Sequence, residues 1–362
     1  MRKLRAAVVG ATGVAGQQFL AALASHPRLE LVRLAASARS AGKRYRAAIT
    51  DESGRSGWYL DTPLDPAFAE LTVEDGATMS ADGLDVVFSA VEAEPARTIE
   101  PRLAERVPVI STASAFRYEP DVPVFLPGVN LDHIGLIDVQ RERRGWRGFI
   151  TPGPNCTTVG LALSLAPLRD RFGVSRVIMT SMQAVSGAGR SPGVSALDIT
   201  DNLIPYIPKE EEKVERETKK ILGAFDRARG TIEDAAIVVS CTCTRVPVLE
   251  GHTESVFVGL ERAATVDEVK AAMRDFGAEL LALGLPSAPR ALLTVEEDPF
   301  RPQPRLDRER DGGMTTTIGR VRIDPVLGGV KYVLLSHNTK MGAAKGALLT
   351  AELLEHRGYL GG

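Results

Sequence analysis

The feature that most constrains this chain is a run of glycines set between a strand and a helix close to its start. Gly10-Ala11-Thr12-Gly13-Val14-Ala15-Gly16 follows the apolar residues 6–9 and opens a stretch with helical spacing at Val14, Phe19, Leu20 and Leu23. A strand that enters a helix through glycines turns tightly and leaves backbone N–H groups at the positive end of the helix, where a pyrophosphate binds. Glycines also serve plain strand–helix packing, but strand before and helix after is the context a dinucleotide loop requires. Gly10, Thr12, Gly13, Val14 and Ala15 are therefore expected to hold a dinucleotide.

The same alternation continues for about 150 residues. Residues 29–36 and 85–90 read as strands, and 107–111 and 124–126 as shorter ones. Strand–helix alternation predicts a parallel sheet wrapped by helices, an α/β fold of the Rossmann type. From about Val174 the texture changes. Long strand-like runs at 174–185, 237–248, 253–260, 315–323 and 329–335 have few helices between them, which predicts an α+β domain with a mainly antiparallel sheet. Residues 209–220 are strongly charged and are expected to form a solvated helix. Residues 342–356 carry helical spacing and are expected to return to the first domain. The expected division is 1–152 with 338–362 for the dinucleotide domain and 153–337 for the second. Its long strands suit a sheet-mediated homodimer or homotetramer.

The second strand specifies the dinucleotide. An NAD site places Asp or Glu there for the ribose 2′-hydroxyl. This chain has Ala35-Ala36-Ser37-Ala38-Arg39-Ser40, without a carboxylate. Ser37 and Ser40 can donate to a 2′-phosphate and Arg39 can pair with it, so NADP is favoured; the other reading is an ordinary polar loop.

Bulk properties exclude several classes. A formal charge of −2 leaves no electrostatic footprint for nucleic acid, so the expected substrate is a small molecule. Neither a signal peptide nor a membrane span is expected, since residues 1–9 are too short for a signal h-region and no apolar run approaches membrane length. The odd count of three cysteines suits a reducing compartment, and the expected location is the cytoplasm.

Cys156 lies in Gly153-Pro154-Asn155-Cys156-Thr157-Thr158-Val159-Gly160, directly before an apolar helical pattern. Pro154 cannot lie inside a helix and Asn155 is a favoured cap, so the thiol falls in the first turn, where N–H groups favour a thiolate and can hold an oxyanion. A lone cysteine is equally a small packing residue. Cys241 and Cys243 alternate with threonines on one face of a strand and read as packing residues, and no metal site is expected. His26, His133 and His356 are expected at the surface, and His337 is either packed or solvated. His252 follows Gly251 at a turn between two apolar strands, with Arg245 upstream. That places an acid–base and an anion anchor together, unless the histidine is a solvated turn residue.

The glycine loop, Ser111 to Arg117, Gly153 to Gly160, Gln183 to Gly189 and Arg245 to His252 occur in the order that resembles the aspartate-β-semialdehyde dehydrogenase family. Residues 198–213 look like its archaeal-type branch. The resemblance spans essentially the whole chain. It implies reduction of an acyl phosphate to an aldehyde by NADPH, with release of phosphate, in amino-acid biosynthesis (lysine, threonine, methionine, diaminopimelate). It implies Cys156 as nucleophile, His252 as acid–base and Gln183 as the residue orienting the acyl intermediate. Arg245 would clamp the substrate carboxylate and Arg117 the phosphate, with Asn155, Glu217 and Lys220 also binding substrate. For Glu217 and Lys220 a solvated helix face with charge pairs is the other reading. Ser89, Ala90, Ser186, Gly187 and Asn338 would line the cofactor. The second domain would be catalytic and dimerising. Malonyl-CoA reductase is similar in fold and thioester chemistry, but Arg117 suits an acyl phosphate. The N-acetyl-glutamyl-phosphate reductases differ around the cysteine, where this chain has Asn155 and Thr157. A catalytically silent NADP-binding regulator would have lost the nucleophile or the histidine, and neither is lost.

Overall fold

In a computed structural model of the chain, which describes residues 2–189 and 193–361, two units are distinct. The first comprises Met1–Pro123, Ile134–Gly153 and Ala343–Gly362, and the second Val124–His133 and Pro154–Gly342.

The first unit holds β1 (Leu4–Val9), β2 (Leu29–Ala36), β3 (Val73–Asp75), β4 (Val86–Ser89), β5 (Val109–Ser111) and β6 (Ile150–Pro152). Their order is β3-β2-β1-β4-β5-β6, with every neighbouring pair parallel. This is the doubly wound arrangement whose direction reverses between β1 and β4. The central strand β1 is apolar on both faces because both are covered. Ala6 and Val8 join a core with Phe19, Leu20, Leu348 and Leu354, while Ala7 and Val9 join a second core with Ile99 and Leu103. The helix Ala344–His356 packs against the helix Val14–Leu23.

His26, expected at the surface, is buried in this unit. Its Nδ1 accepts from the backbone N–H groups of Arg28 and Leu29, which leaves Nε2 to meet Glu352 at 2.6 Å. The ring pins the entry to β2 onto the C-terminal helix. His356 is exposed.

By contacts, the segment Val124–His133 falls in the second unit. Residues 124–126 form no strand, because a side chain takes the bonds a neighbouring strand would make. Asn130 accepts from Leu126 N at 2.9 Å and donates to the Val124 carbonyl at 2.8 Å. His133 is also buried, against expectation, between Asn130 and the Gly223 carbonyl, and burial lowers its pKa.

The second unit contains β7 (Val174–Gln183), a small hairpin of β8 (Ala224–Asp226) and β9 (Thr231–Glu233), β10 (Val238–Arg245), β11 (His252–Leu260), β12 (Leu293–Val295), β13 (Thr316–Asp324) and β14 (Gly329–Ser336). The six long-sheet strands run β10-β7-β11-β14-β13-β12. The three central pairs are antiparallel and the two outer pairs parallel, so the sheet is mixed with an antiparallel centre. The helix Cys156–Phe172 lies on one face of it. Gly160 permits that approach, since a Cβ there would come within 2.9 Å of Leu334 Cδ1 and 3.0 Å of Ser336 Cβ. Ile178 and Val238 are exposed. None of the helices among the described residues is long and apolar enough to cross a membrane.

The charged helix Glu210–Ile221 is not solvated all round. Glu210, Val214, Glu217, Thr218, Lys220 and Ile221 are buried. It runs beside the edge strand β10, where Glu211 and Glu215 accept from the backbone N–H groups of Cys243 and Cys241, each at 3.0 Å. Residues four apart on a helix share a face and residues two apart on a strand present N–H groups to the same side, so the two spacings match. Edge donors that would otherwise invite another strand are thereby satisfied. Cys241 and Cys243 are buried, and burial pushes both thiols up, that of Cys243 to about 12.

Glu254 on β11 is fully buried, and neither carboxylate oxygen meets a donor among the described residues. Burial raises its pKa well above the ordinary value, so it folds as the neutral acid. Above about pH 4.3 the unfolded chain releases this proton and the folded chain keeps it, so stability falls as pH rises towards the folded pKa. Denaturant unfolding of Glu254→Gln should therefore show a stability advantage over the parent that grows between pH 5 and 8, by at most about 1.4 kcal/mol per pH unit. Parallel curves would show that this carboxyl titrates alike in both states.

Candidate active site

Strand register gathers the chemistry at one end of the second unit's sheet. Arg245 at the end of β10 pairs with Gln183 at the end of β7. His252 opens β11 opposite Ser336, the last residue of β14, while Thr253 pairs with Met182. Cys156 is the first residue of its helix and reaches the same place, with Sγ 3.3 Å from His252 Nε2.

The backbone of one residue orients both basic side chains. Ala184 donates its N–H to His252 Nδ1 at 3.1 Å, and its carbonyl accepts from Arg245 Nη1 at 2.8 Å. A ring nitrogen that accepts a backbone N–H carries no proton, so neutral His252 holds its hydrogen on Nε2, facing the sulfur. Burial, the Arg245 charge and that of His337 lower its pKa to about 3. His252 is thus a fixed neutral donor near pH 7. Arg245 is itself buried, and burial lowers its pKa while the nearby Cys156 sulfur favours its charge.

The loop after β7 closes on this pair. Val246 N donates to the Gln183 carbonyl and Val185 N to that of Val248, at 3.0 and 2.8 Å. Gly187 admits no side chain, for a Cβ there would lie 2.9 Å from Arg245 Nη1 and 3.2 Å from His252 Nε2. Asn338 accepts from Gly251 N at 2.9 Å and donates to Ser186 Oγ at 2.8 Å, tying the histidine's turn to the same loop. Gln183 is buried and donates to Ser181 Oγ. His337 is packed, between Glu250 and Glu309. These three could ligate a metal, but Lys340 already neutralises Glu309.

Asn155 carries the junction beneath Cys156. Its Oδ1 accepts from Thr157 N and Thr158 N at 2.9 and 3.2 Å, capping the helix. Its backbone N–H donates to Glu217 at 2.6 Å and its Nδ2 to Glu210 at 2.8 Å. Glu217 and Lys220 are therefore not on a solvated face; both are buried. Glu210 and the Ala184 peptide are the functional groups that sequence reading missed. The seven-residue spacing of Glu210 and Glu217 on one helical face was the available signal for the first; a backbone group such as Ala184 leaves none.

The remaining expected residues lie in the first unit. Gly10 has φ +83°, and a Cβ there would stand 2.5 Å from the Ala90 carbonyl, where β1 and β4 end side by side. Gly13 has nothing closer than 3.6 Å and caps the helix Val14–Leu23 without a side chain. Thr12, Val14 and Ala15 complete the loop, whose open helix start fits a pyrophosphate. Gly16, by contrast, is a packing glycine, 2.2 Å from the Gly10 carbonyl at its would-be Cβ. Ser37 and Arg39 are exposed just beyond β2 and Ser40 is buried; Ser89 is buried at the end of β4. Arg117 is buried, donates to the Thr112 carbonyl at 2.9 Å and feels the charge of Glu100.

A glycine-loop parallel sheet in one unit and a helix-start thiol against a fixed imidazole in the other define a semialdehyde-dehydrogenase-type protein. Residues 5–137 match the semialdehyde dehydrogenase NAD binding domain, and residues 165–341 match the semialdehyde dehydrogenase dimerisation domain. The aspartate-semialdehyde dehydrogenases of Methanothermobacter thermautotrophicus and Archaeoglobus fulgidus are 45% and 46% identical, each over 96% of this chain and 97% and 96% of their own. The crystal structure of aspartate-semialdehyde dehydrogenase with NADP from Candida albicans superposes with a TM-score of 0.88 at 38% identity, covering 98% of this chain and 99% of that one. The chain belongs to the aspartate-semialdehyde dehydrogenase family, and the archaeal-type branch fits it.

The tautomer is directly testable. In ¹⁵N-labelled protein His252 should stay neutral with its proton on Nε2 from pH 5 to 9, because its lowered pKa keeps the imidazolium form below that window. An imidazolium or Nδ1–H signature there would contradict the assignment.

Proposed function

We propose that the protein reduces 4-phospho-L-aspartate to L-aspartate 4-semialdehyde with NADPH, releasing phosphate, and runs reversibly. The observation that carries this reading is Cys156 Sγ at 3.3 Å from a donor-fixed His252, with Arg245 held on the carbonyl of the same residue, Ala184, whose N–H fixes the ring. The capped helix start, the Nε2–H and the Arg245 charge all favour the thiolate.

The thiolate attacks the β-carbonyl carbon, and the C–O bond to phosphate breaks with its electron pair leaving on the phosphate, which takes a proton from water. The product is a Cys156 thioester. The glycine loop, with Arg39, Ser37 and Ser40 at a 2′-phosphate and Ser89, Ala90, Ser186, Gly187 and Asn338 along it, would hold NADPH, which when bound would supply the hydride that reduces the thioester. The resulting thiohemiacetal oxyanion reforms its carbonyl, and the C–S bond breaks to return the thiolate. Each oxyanion needs a hydrogen-bond donor, and His252 Nε2–H supplies one. Arg245 clamps the α-carboxylate, Arg117 the phosphate, and Gln183 orients the acyl group, with Asn155, Glu217 and Lys220 completing the substrate site. Two arginines suit a substrate with an anionic group at each end.

The exposed apolar residues on the second unit's sheet, Ile178 and Val238, support assembly into a homodimer or homotetramer. A thiolate that must stay reduced supports a cytoplasmic location.

Two measurements check this reading. Cys156→Ala should abolish phosphate-dependent NADP⁺ reduction with aspartate semialdehyde while leaving NADP⁺ binding near normal. The parent enzyme should prefer that substrate pair to malonate semialdehyde with coenzyme A, and the reverse preference would overturn the acyl-phosphate assignment. Arg39→Ala should raise the KM for NADPH about tenfold or more and that for NADH little, since only NADPH carries the phosphate this arginine would pair with. Equal changes would remove Arg39 from the cofactor site.

A further inference from the structure

We propose that Glu210 is a positioning residue for the nucleophile, locking the Asn155 side-chain amide in the one orientation that caps the Cys156 helix. The proposal rests on Cys156 being the nucleophile. An asparagine amide has an acceptor end and a donor end of nearly the same shape, so the cap could sit either way round. With Oδ1 towards the helix it accepts from Thr157 N and Thr158 N, as observed. Turned over, it would set N–H against N–H there. Glu210 closes the other end, because a carboxylate only accepts, and its Oε1 takes the Nδ2 hydrogen at 2.8 Å. The turned amide would place two oxygens face to face.

Glu210 can do this because its helix is itself registered. Glu217 accepts from Asn155 N at 2.6 Å, while Glu211 and Glu215 hold the edge of β10 at 3.0 Å each. Lys213 reaches the second oxygen of Glu210 at 3.3 Å, so both oxygens are engaged and the side chain is 6% exposed. The strand so held ends at Arg245. One helix therefore fixes the cap of the nucleophile on one side and the strand carrying the carboxylate clamp on the other. Releasing the amide leaves the first turn intermittently uncapped, so it frays and the sulfur loses its fixed place at the positive end of the helix.

The test is the pH dependence of Cys156 alkylation by iodoacetamide, which needs neither substrate nor cofactor. Cys241 and Cys243 are buried and do not compete. Its outcome therefore stands apart from the choice of acyl donor. Glu210→Met keeps length and packing but cannot accept, and Glu210→Ala is the second variant should Met disturb folding, which thermal unfolding followed by circular dichroism reports. Both should raise the midpoint by about one pH unit and slow alkylation near pH 7 about tenfold. Glu210→Gln keeps the shape but can donate as well as accept, so it tolerates either amide orientation and should shift the profile in the same direction as Met. A parent-like profile in folded Glu210→Met or Glu210→Ala would overturn the proposal. So would a Glu210→Gln profile identical to the parent's, or a midpoint that falls in all three variants, since a fall would assign the effect to the lost negative charge and not to the amide.

Discussion

Asn155 is the contact on which the rest of the site depends. It stands between the first unit's last strand segment and the helix that bears Cys156, and Pro154 before it prevents the helix from beginning sooner. Each polar group of its side chain and its backbone N–H has a partner: two N–H groups ahead, and Glu210 and Glu217 behind. A helix start usually sheds its orphan donors to water. Here two of them are satisfied by a residue whose own orientation is fixed, so the thiol at the first position inherits a defined place. The carboxylates behind the cap accept N–H donors on both sides of one helix, joining that place to β10.

Precision elsewhere comes from strand register. Gln183, Arg245 and His252 are the last or first residues of three adjacent strands, and a slip of one residue would turn each to the opposite face. The Ala184 peptide then converts register into side-chain orientation, with its N–H on the imidazole and its carbonyl on the guanidinium. Gly187 lies directly over both, which explains a glycine in a turn where conformational freedom alone does not require one.

Much of this was legible in the residues. The glycine loop gave the first sheet because strand, turn and helix are local, and the long β runs of the second sheet came within three residues of their observed limits. β3, β6 and β12 are three residues each and leave no periodic trace. His26 and His133 were misplaced because their burial depends on partners at Glu352 and Gly223, far away in sequence. The helix Glu210–Ile221 was misread for a related reason. Its glutamates look solvated by composition, and only tertiary contact shows that four of them face N–H groups.

The charge pattern around Cys156 favours a neutral histidine. A buried imidazolium beside the Arg245 guanidinium would place two cations in a region of low dielectric, and burial together with that charge holds His252 far below its ordinary pKa. A carboxylate bound on Arg245 would cancel part of the repulsion, yet Ala184 N–H would still occupy Nδ1 and oppose a second proton. The chemistry loses nothing by this. The phosphate leaves the acyl carbon and takes its proton from water, a thiohemiacetal oxyanion collapses without a proton, and both steps use a donor aimed at the reacting oxygen. The Arg245 guanidinium therefore also opposes a second proton on the neighbouring ring.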